Sequence, residues 1–365
     1  MVRPRAHVLQ MEPYRPGKTP EQIQHELGLN ELIKLSANEN PLGASPRVAE
    51  AIQEALCHIH RYPDGACQLL REAVSDFYQL PQDHFVFGNG SDELIHLIGL
   101  AYLEAGDEVV MGHPSFVRYE ASVQLNQAVL KRVPLTNDYR HDLPAMLAEV
   151  SERTKLVYIA NPNNPTGTIV YRHELEHFID LLPDHVLLVL DEAYYEYVDH
   201  PDYPNGLDWV RRGAQVLVLR TFSKAYGLAG LRLGYAVARP DLLDPIERVR
   251  EPYNVNLLAQ VAGVAVLRDQ AHVARTRELN RQSLEAFQQA CEQMGLRVVP
   301  SYANFLLIEI GAHCAQVRQR LLQMGVMVRS GEGFGLPHFL RVNTGTPEQN
   351  EKFLRALQQA LASLK

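Results

Sequence analysis

Val186-Leu-Leu-Val-Leu-Asp-Glu-Ala-Tyr194 shows the pattern that sets the fold class: an apolar run of strand length followed at once by polar residues. Such runs are typical of strands that are buried on both faces of a sheet. Between them lie segments of helical period, such as Asp92 to Leu103, whose apolar residues form one broad stripe after an N-cap predicted at Ser91-Asp92. The sequence therefore predicts an α/β fold, with a mostly parallel sheet flanked by helices. Similar apolar runs occur at Val109-Val-Met111, Lys155-Leu-Val-Tyr-Ile-Ala160, Val216-Leu-Val-Leu219 and Leu233-Gly-Tyr-Ala-Val237.

The pattern changes after about Pro252. Long helices are predicted over residues 256–294, followed by separate strands and a closing helix. Residues 1–35 are rich in proline and show little periodicity, which indicates an extended arm. We therefore expect an N-terminal arm (1–35), a large domain (36–252) and a smaller α+β domain (253–365). The strands of the small domain are predicted at Phe305-Leu-Leu-Ile308, Val326-Met-Val328 and Phe339-Leu-Arg-Val342.

Composition and charge argue against nucleic-acid-binding, membrane-bound and secreted proteins. The 365 residues include 35 Lys and Arg against 43 Asp and Glu, a net charge of −8 that disfavours a nucleic-acid partner. No apolar run approaches the length of a membrane span, and the N-terminal residues lack the apolar core of a signal peptide. The four cysteines form no CxxC pair, which indicates reduced thiols. The sequence predicts a cytoplasmic protein without a membrane anchor.

Polar or glycine-rich clusters follow four of the predicted strands. In an open α/β sheet, ligands bind outside the carboxyl ends of the strands, so we expect the clusters to converge on one crevice. The first leads into a helix N-terminus, which suits a phosphate group. Taken singly, each feature has an ordinary alternative: a tight turn, an N-cap at Asp191, or a solvated Lys224. The clusters are Gly88-Asn-Gly-Ser-Asp92, Asn161-Pro-Asn-Asn-Pro-Thr-Gly167, Asp191-Glu-Ala-Tyr194 and Thr221-Phe-Ser-Lys224.

Taken together, the sequences of these clusters and their order along the chain resemble those of the fold-type I pyridoxal-phosphate aminotransferases. Asn-Pro-Thr-Gly, Asp-Glu-Ala-Tyr and Ser-Lys occur in that order, and Arg232 follows the lysine by eight residues. Other segments are most similar to the branch of the family that acts on histidinol phosphate. These are Ile33-Lys-Leu-Ser-Ala-Asn-Glu-Asn-Pro-Leu-Gly43, Arg61-Tyr-Pro-Asp64, Arg220-Thr-Phe-Ser-Lys-Ala-Tyr-Gly-Leu-Ala-Gly230 and Leu340-Arg-Val-Asn-Thr-Gly-Thr-Pro-Glu-Gln-Asn350.

The resemblance implies a role for each matching residue. Lys224 would hold pyridoxal 5'-phosphate covalently and later act as the general base that moves the substrate proton. Asp191 would pair with the ring nitrogen and keep it protonated. Asn164 and Tyr194 would bond the ring's phenolic oxygen, and Phe116 would stack on the ring, although an ordinary core phenylalanine is the alternative there. The cofactor phosphate would be bound by Ser91, Asp92, Thr221, Ser223 and Arg232, with Tyr62 reaching it from the second subunit of a homodimer.

The resemblance also implies an anion site for the substrate. Tyr14, Asn38, Arg329 and Arg341 would form it, since a guanidinium suits both a carboxylate and a phosphate. A surface ion pair is the alternative for either arginine.

The implied reaction is a ping-pong amino transfer of histidine biosynthesis, between L-histidinol phosphate with 2-oxoglutarate and imidazole-acetol phosphate with L-glutamate. Aromatic amino-acid aminotransferases and a threonine-phosphate decarboxylase share the cofactor residues and remain alternatives, as does a non-catalytic cofactor-binding regulator.

One motif is typical of a different class of enzyme. His173-Glu-Leu-Glu-His177 matches the HExxH pattern of zinc proteases, but no third ligand motif follows it. We interpret it as the solvated face of a helix and expect no metal. The expected partners are small-molecule substrates and a second copy of the chain.

Overall fold

The computed structural model describes residues 2–13 and 18–364. Within these ranges the strands are β1 (Ile33–Leu35), β2 (Phe85–Gly88), β3 (Glu108–His113), β4 (Val129–Pro134), β5 (Thr154–Ala160), β6 (Leu187–Asp191), β7 (Val216–Thr221), β8 (Gly234–Val237), β9 (Arg297–Val299), β10 (Phe305–Glu309), β11 (Val326–Ser330) and β12 (Phe339–Asn343). The α-helices are α1 (Pro20–Leu27), α2 (Pro46–Ala55), α3 (Gln68–Tyr78), α4 (Ser91–Tyr102), α5 (Val117–Leu125), α6 (Leu143–Ala148), α7 (Arg172–Leu181), α8 (Leu207–Arg211), α9 (Pro240–Val249), α10 (Leu257–Leu267), α11 (Gln270–Gln293), α12 (Cys314–Gln323) and α13 (Pro347–Ala362).

Seven strands form the larger sheet, in the order β2-β8-β7-β6-β5-β3-β4. Strand β8 runs antiparallel to both of its neighbours, and the pairs from β7 to β4 are parallel. The predicted α/β class, with a mostly parallel sheet, is confirmed.

Both faces of this sheet are buried, because side chains alternate between two cores along each strand. In β5, Val157 and Ile159 face the first core, whereas Leu156 and Tyr158 face the second. Helices α2, α3, α6, α7, α8 and α10 cover the first core, and α4, α5 and α9 cover the second. This two-sided burial explains why the strands read as continuous apolar runs rather than as alternating ones.

The smaller sheet has five strands in the order β1-β11-β12-β10-β9. Strand β1 pairs with β11 in parallel, and the remaining pairs are antiparallel. One face of this sheet packs on α11, α12 and α13 through residues such as Phe287, Val317 and Phe353. Within the described residues, no helix is both long and apolar enough to cross a membrane.

Segments on either side of the expected limits at residues 36 and 252 pack across them, while the limits themselves stay a prediction. The predicted arm contains helix α1 and strand β1, and Ile33 and Leu35 are buried in the core of the five-stranded sheet. Helix α10 follows the second limit but packs in the large core through Ala259 and Ala262. A strand of three residues is too short to show a period, so the sequence pattern missed its attachment.

Candidate active site

One cavity of about 330 Å³ lies at the carboxyl edge of the seven-stranded sheet, where it faces the five-stranded sheet. The four polar clusters predicted from the sequence converge there, together with two arginines of the smaller sheet. The predicted site residues that line it are Asn38, Ser91, Asp92, Phe116, Asn164, Asp191, Tyr194, Thr221, Ser223, Lys224, Arg232, Arg329 and Arg341.

Asp191 is the last residue of β6, so its side chain emerges at the end of a strand that is buried along its whole length. Its Oδ2 accepts a hydrogen bond from the Tyr119 hydroxyl at 2.6 Å, and its Oδ1 accepts one from the Ala193 amide at 3.1 Å. Burial raises the pKa of this carboxyl to about 6, although both hydrogen bonds act to lower it. Among residues 2–13 and 18–364, Asp191 makes no salt bridge. A buried carboxylate of this kind is suited to a cationic ligand.

Lys224 follows β7, lines the same cavity and is half-buried. Its Nζ donates to the Ala37 carbonyl at 3.4 Å and lies 5.8 Å from the centre of the Tyr194 ring. Burial, followed by the positive charge of Arg341, lowers the pKa of the amine to about 8. An amine so shifted has a substantial neutral fraction near neutral pH, as a nucleophile or general base requires.

A cradle for an anion lies where α4 begins. Gly90 is the N-cap of that helix, with φ +80°, and a Cβ placed on it would lie 2.5 Å from Nη2 of Arg232. Ser91 is the first residue of the helix, so the N-cap predicted at Ser91-Asp92 is wrong. Gly90 is the N-cap, because a side chain at this position would collide with the guanidinium of Arg232. Arg232 also contacts Ser223 Oγ at 3.5 Å and Asp92 Oδ2 at 3.5 Å.

This cradle is polarised for negative charge, because free amides at a helix start and a guanidinium point to the same place. Thr221 supports it from β7, where its Oγ1 accepts from the Ser223 amide at 3.0 Å.

Tyr194 lines the same cavity as Asp191, Lys224 and Arg341. Its hydroxyl accepts a hydrogen bond from Asn38 Nδ2 at 2.8 Å, and burial raises the pKa of the phenol to about 12. Asn164 lies nearby on the loop after β5, where its Oδ1 accepts from Arg341 Nη1 at 2.5 Å. The neighbouring Asn163 holds this loop in place through a bond from Ser115 Oγ at 2.8 Å.

Arg341 is buried, although it carries a charge. Its Nη2 donates to the Ser36 carbonyl at 2.9 Å, and its Nε is buried without a partner among the described residues. The guanidinium lies over the rings of Phe305 and Phe334, at 5.2 and 5.5 Å from their centres. Burial lowers the pKa of Arg341 to about 10. Arg329 is its register partner on β11, but its side chain is exposed.

Two predicted site residues lie elsewhere. Tyr62 does not line the cavity: it is 83% exposed and stacks on Tyr253, with ring centres 4.9 Å apart. Tyr14 lies outside the described residues. Phe116 lines the cavity and meets Tyr119 edge-on at 5.7 Å.

The sequence reasoning missed Tyr119, which holds Asp191. Tyr119 lies three residues after Phe116, which is the N-cap of α5, and this spacing was a usable signal. It also missed the backbone carbonyls of Ser36 and Ala37, which accept from Arg341 and Lys224. Every residue has a backbone carbonyl, so the residue types do not show which carbonyls accept these hydrogen bonds.

No group of three or more His, Cys, Asp or Glu in residues 2–13 and 18–364 is placed to hold a metal ion. The HExxH segment lies on α7, whose buried residues are Leu175 and Phe178.

Comparison with known proteins points to one family. Residues 30–357 match the family described as "Aminotransferase class I and II". The chain is 49% identical over 359 residues to the histidinol-phosphate aminotransferase of Moorella thermoacetica, which covers 98% of this chain and 93% of that protein. It is 46% identical to the protein of the same name from Geobacillus sp. (strain WCH70), over 96% of each. The crystal structure of histidinol-phosphate aminotransferase from Sinorhizobium meliloti in complex with pyridoxal-5'-phosphate is 27% identical, with a TM-score of 0.92, and the match covers 100% of this chain and 99% of that one.

Proposed function

The chain belongs to the class I and II aminotransferase family, and on this premise we propose that it transfers the amino group of L-histidinol phosphate to 2-oxoglutarate. The products are imidazole-acetol phosphate and L-glutamate, and the reaction belongs to histidine biosynthesis. One observation carries the proposal: Lys224, Asp191 and Arg341 lie in one cavity of a chain that is similar along its whole length to proteins named for this reaction. A cytoplasmic location is part of the same proposal.

The cavity fits pyridoxal 5'-phosphate. Asp191 is a buried carboxylate that forms no salt bridge within residues 2–13 and 18–364, which suits a protonated ring nitrogen. The cradle of Gly90, Ser91 and Arg232 suits the phosphate, because a Cβ at Gly90 would fill it. Asn164 and Tyr194 would bond the phenolic oxygen, and Phe116 would pack on the ring. When bound, the cofactor supplies an electron-withdrawing ring that stabilises negative charge at the substrate α-carbon.

The chain's own residues then have separate tasks. Lys224 takes the proton from the substrate α-carbon on its Nζ, which is neutral often enough because its pKa is lowered to about 8. Asp191 holds positive charge at the ring nitrogen by a charge-assisted hydrogen bond. Tyr194 keeps its proton across the physiological range, because its pKa is raised to about 12, and it therefore acts as a hydrogen-bond donor.

The two arginines bind the anionic end of the substrates, and Asn38 of the same cavity assists them. Tyr14 keeps its role in this site only as the resemblance implies it. Arg341 has a desolvated guanidinium whose Nε has no partner in the part of the chain that the structure describes, so an arriving anion gains a strong partner. Arg329 is exposed in the structure and adds a second positive charge, which suits a phosphate more than a carboxylate. One site can thus serve both glutamate and histidinol phosphate.

The test is a parallel assay of the purified protein with pyridoxal phosphate and glutamate. Imidazole-acetol phosphate, phenylpyruvate and oxaloacetate are offered as amino acceptors, and 2-oxoglutarate formation is followed. We expect the highest kcat/KM with imidazole-acetol phosphate. A higher value with phenylpyruvate would instead support an aromatic aminotransferase, and no transfer to any acceptor would contradict the proposal.

A homodimer completes the proposal, with Tyr62 acting in trans. The surface around Tyr62 exposes several large apolar side chains, as an interface would. Next to it a groove on α2 and α10 is lined by Ala51, Val261 and Val264. The exposed apolar residues are Leu56, Ile59, Tyr62, Leu69 and Tyr253.

Mixing two variants tests this arrangement. Lys224→Ala and Tyr62→Ala subunits are each expected to have low activity. A mixed dimer has one site with both defects and one with neither, so unfolding and refolding the two together should restore about a quarter of the wild-type activity. No gain over the separate variants, or a monomer in sedimentation, would contradict action in trans.

A further inference from the structure

Tyr119 lines the cavity, and its hydroxyl is hydrogen-bonded to one group of the proposed reaction, Asp191. It is on α5, is fully buried, and stacks on Tyr158 with ring centres 4.5 Å apart. The stack fixes the ring, and the hydroxyl then donates to Asp191 Oδ2 at 2.6 Å. With the Ala193 amide on Oδ1, both carboxylate oxygens are held.

This geometry limits what Asp191 can do. Two donors on different oxygens fix the rotation of the carboxylate, and each oxygen keeps lone-pair capacity for a further donor. A donor to a carboxylate favours its charged form, which burial alone would oppose.

We propose that Tyr119 is a positioning residue that keeps Asp191 ionised and fixed in orientation, ready to receive a protonated ring nitrogen. The inference rests on the proposed function insofar as that nitrogen belongs to pyridoxal phosphate. Its other part, the charge on Asp191, concerns the protein alone.

The surroundings of Asp191 make this donor necessary. Asp92 and Glu192 are acidic and raise its pKa, while Tyr158 and Tyr194 are neutral phenols whose own pKa values are raised. Burial holds the pKa of Tyr119 well above the ordinary phenol value, so it stays a donor at any working pH. Among the described residues, removing its hydroxyl leaves the Ala193 amide as the one hydrogen-bond donor that opposes burial, so the pKa of Asp191 must rise above about 6.

The test compares two deletions of a single hydroxyl. Tyr119→Phe removes the bond to Asp191, whereas Tyr158→Phe removes a buried hydroxyl that has no partner among the described residues. The rings are neighbours in one stack, so the two variants share any cost of altering it. Dissociation constants for pyridoxal phosphate are measured by absorbance titration at pH 6 and at pH 8.5.

For Tyr119→Phe we expect cofactor binding to weaken by about tenfold at pH 6 and by clearly less at pH 8.5, where the carboxyl is ionised in either protein. Tyr158→Phe should bind as the wild type does at both values. Equal weakening at the two pH values, or equal behaviour of the two variants, would overturn the inference.

A second measurement needs no cofactor. A carboxyl whose pKa is raised on folding contributes stability that is full below the unfolded pKa and is lost as the pH rises through the folded pKa. Tyr119→Phe raises the folded pKa further, so its Tm deficit relative to the wild type should grow by about 2 °C between pH 5 and pH 8. In an Asp191→Asn background this growth should vanish.

The two failures are distinguishable. If the wild type binds no pyridoxal phosphate, the proposed function fails, whatever the pH dependence of Tm shows. If the wild type binds it and the Tm deficit of Tyr119→Phe does not change with pH, only the role of Tyr119 fails.

Discussion

The cavity has two sides, and they are built in different ways. The side formed by the seven-stranded sheet places Asp191 and Lys224 directly after buried parallel strands. The side formed by the five-stranded sheet reaches the same cavity with two long arginine side chains, Arg329 and Arg341. The first side is set by the backbone of the sheet edge, whereas the second depends on how the two sheets pack together.

The two arginines show what this difference means. Arg329 and Arg341 are paired in register on neighbouring strands, yet Arg341 is buried under Phe305 and Phe334 while Arg329 is exposed. Equal positions in a sheet therefore give unequal environments. We expect the largest loss of activity from substitutions on the side formed by the seven-stranded sheet, which we call the strand-end side. Substitution of Arg341 should cost less activity, and substitution of Arg329 least.

The largest effect is expected for Lys224→Ala. Lys224 is the one lysine that lines the cavity among the residues the structure describes, so removing its amine should abolish amino transfer. Borohydride reduction followed by peptide mass spectrometry should find the phosphopyridoxyl label on Lys224 in the wild type and in Lys155→Ala, whose lysine is exposed. A label on any other lysine would refute the assignment.

Asp191→Asn should come next. The change preserves shape and removes charge, so cofactor binding should survive in part while kcat falls by roughly a hundredfold or more, as for the loss of a preorganised electrostatic group. Asp184→Asn, at an exposed site, is the control. A loss of only a few fold in kcat would argue against a charged partner for the ring nitrogen.

Arg341→Ala should have an intermediate effect. A charge-assisted hydrogen bond contributes about 1.5–3 kcal/mol, which corresponds to a fall in kcat/KM of roughly ten- to a few hundredfold. Arg341→Lys should recover only part of this, because an ammonium cannot form the paired bonds of a guanidinium. Arg355→Ala, on the exposed face of α13, should leave kcat/KM unchanged. If Arg341→Ala behaved like that control, the substrate anion would have to bind elsewhere.

Arg329→Ala should have the smallest effect, and one that depends on the substrate. The phosphate of histidinol phosphate carries nearly two charges, so its kcat/KM should fall more than that of phenylalanine, by roughly tenfold against a few fold. Equal losses for the two substrates would show that Arg329 does not distinguish the phosphate, and would favour the aromatic aminotransferase alternative.

The sequence indicated much of the strand-end side in advance. Apolar runs that end at Leu190 and Leu219 locate strand ends, and the rule that ligands bind at that edge brings the polar clusters together. The structure places them in one cavity. The roles of the individual residues came from the family resemblance and remain predictions for the experiments above.

The sequence was a poorer guide wherever a contact joins distant parts of the chain. The attachment of β1 to β11, the N-cap at Gly90 and the bond from Tyr119 to Asp191 all escaped it. Each depends on packing between segments that are far apart in the chain, or on a backbone conformation that residue types mark only weakly.

Local pattern by itself determined the α/β class, the strand ends and the types of group that meet there, because burial on both faces imposes continuous apolar runs and short polar breaks. Only the tertiary structure decided that Arg341 is buried and Arg329 is not, and that Asp191 has two donors and no cation within the described residues. Desolvation and charge depend on what surrounds a side chain in space, which its neighbours in sequence do not specify.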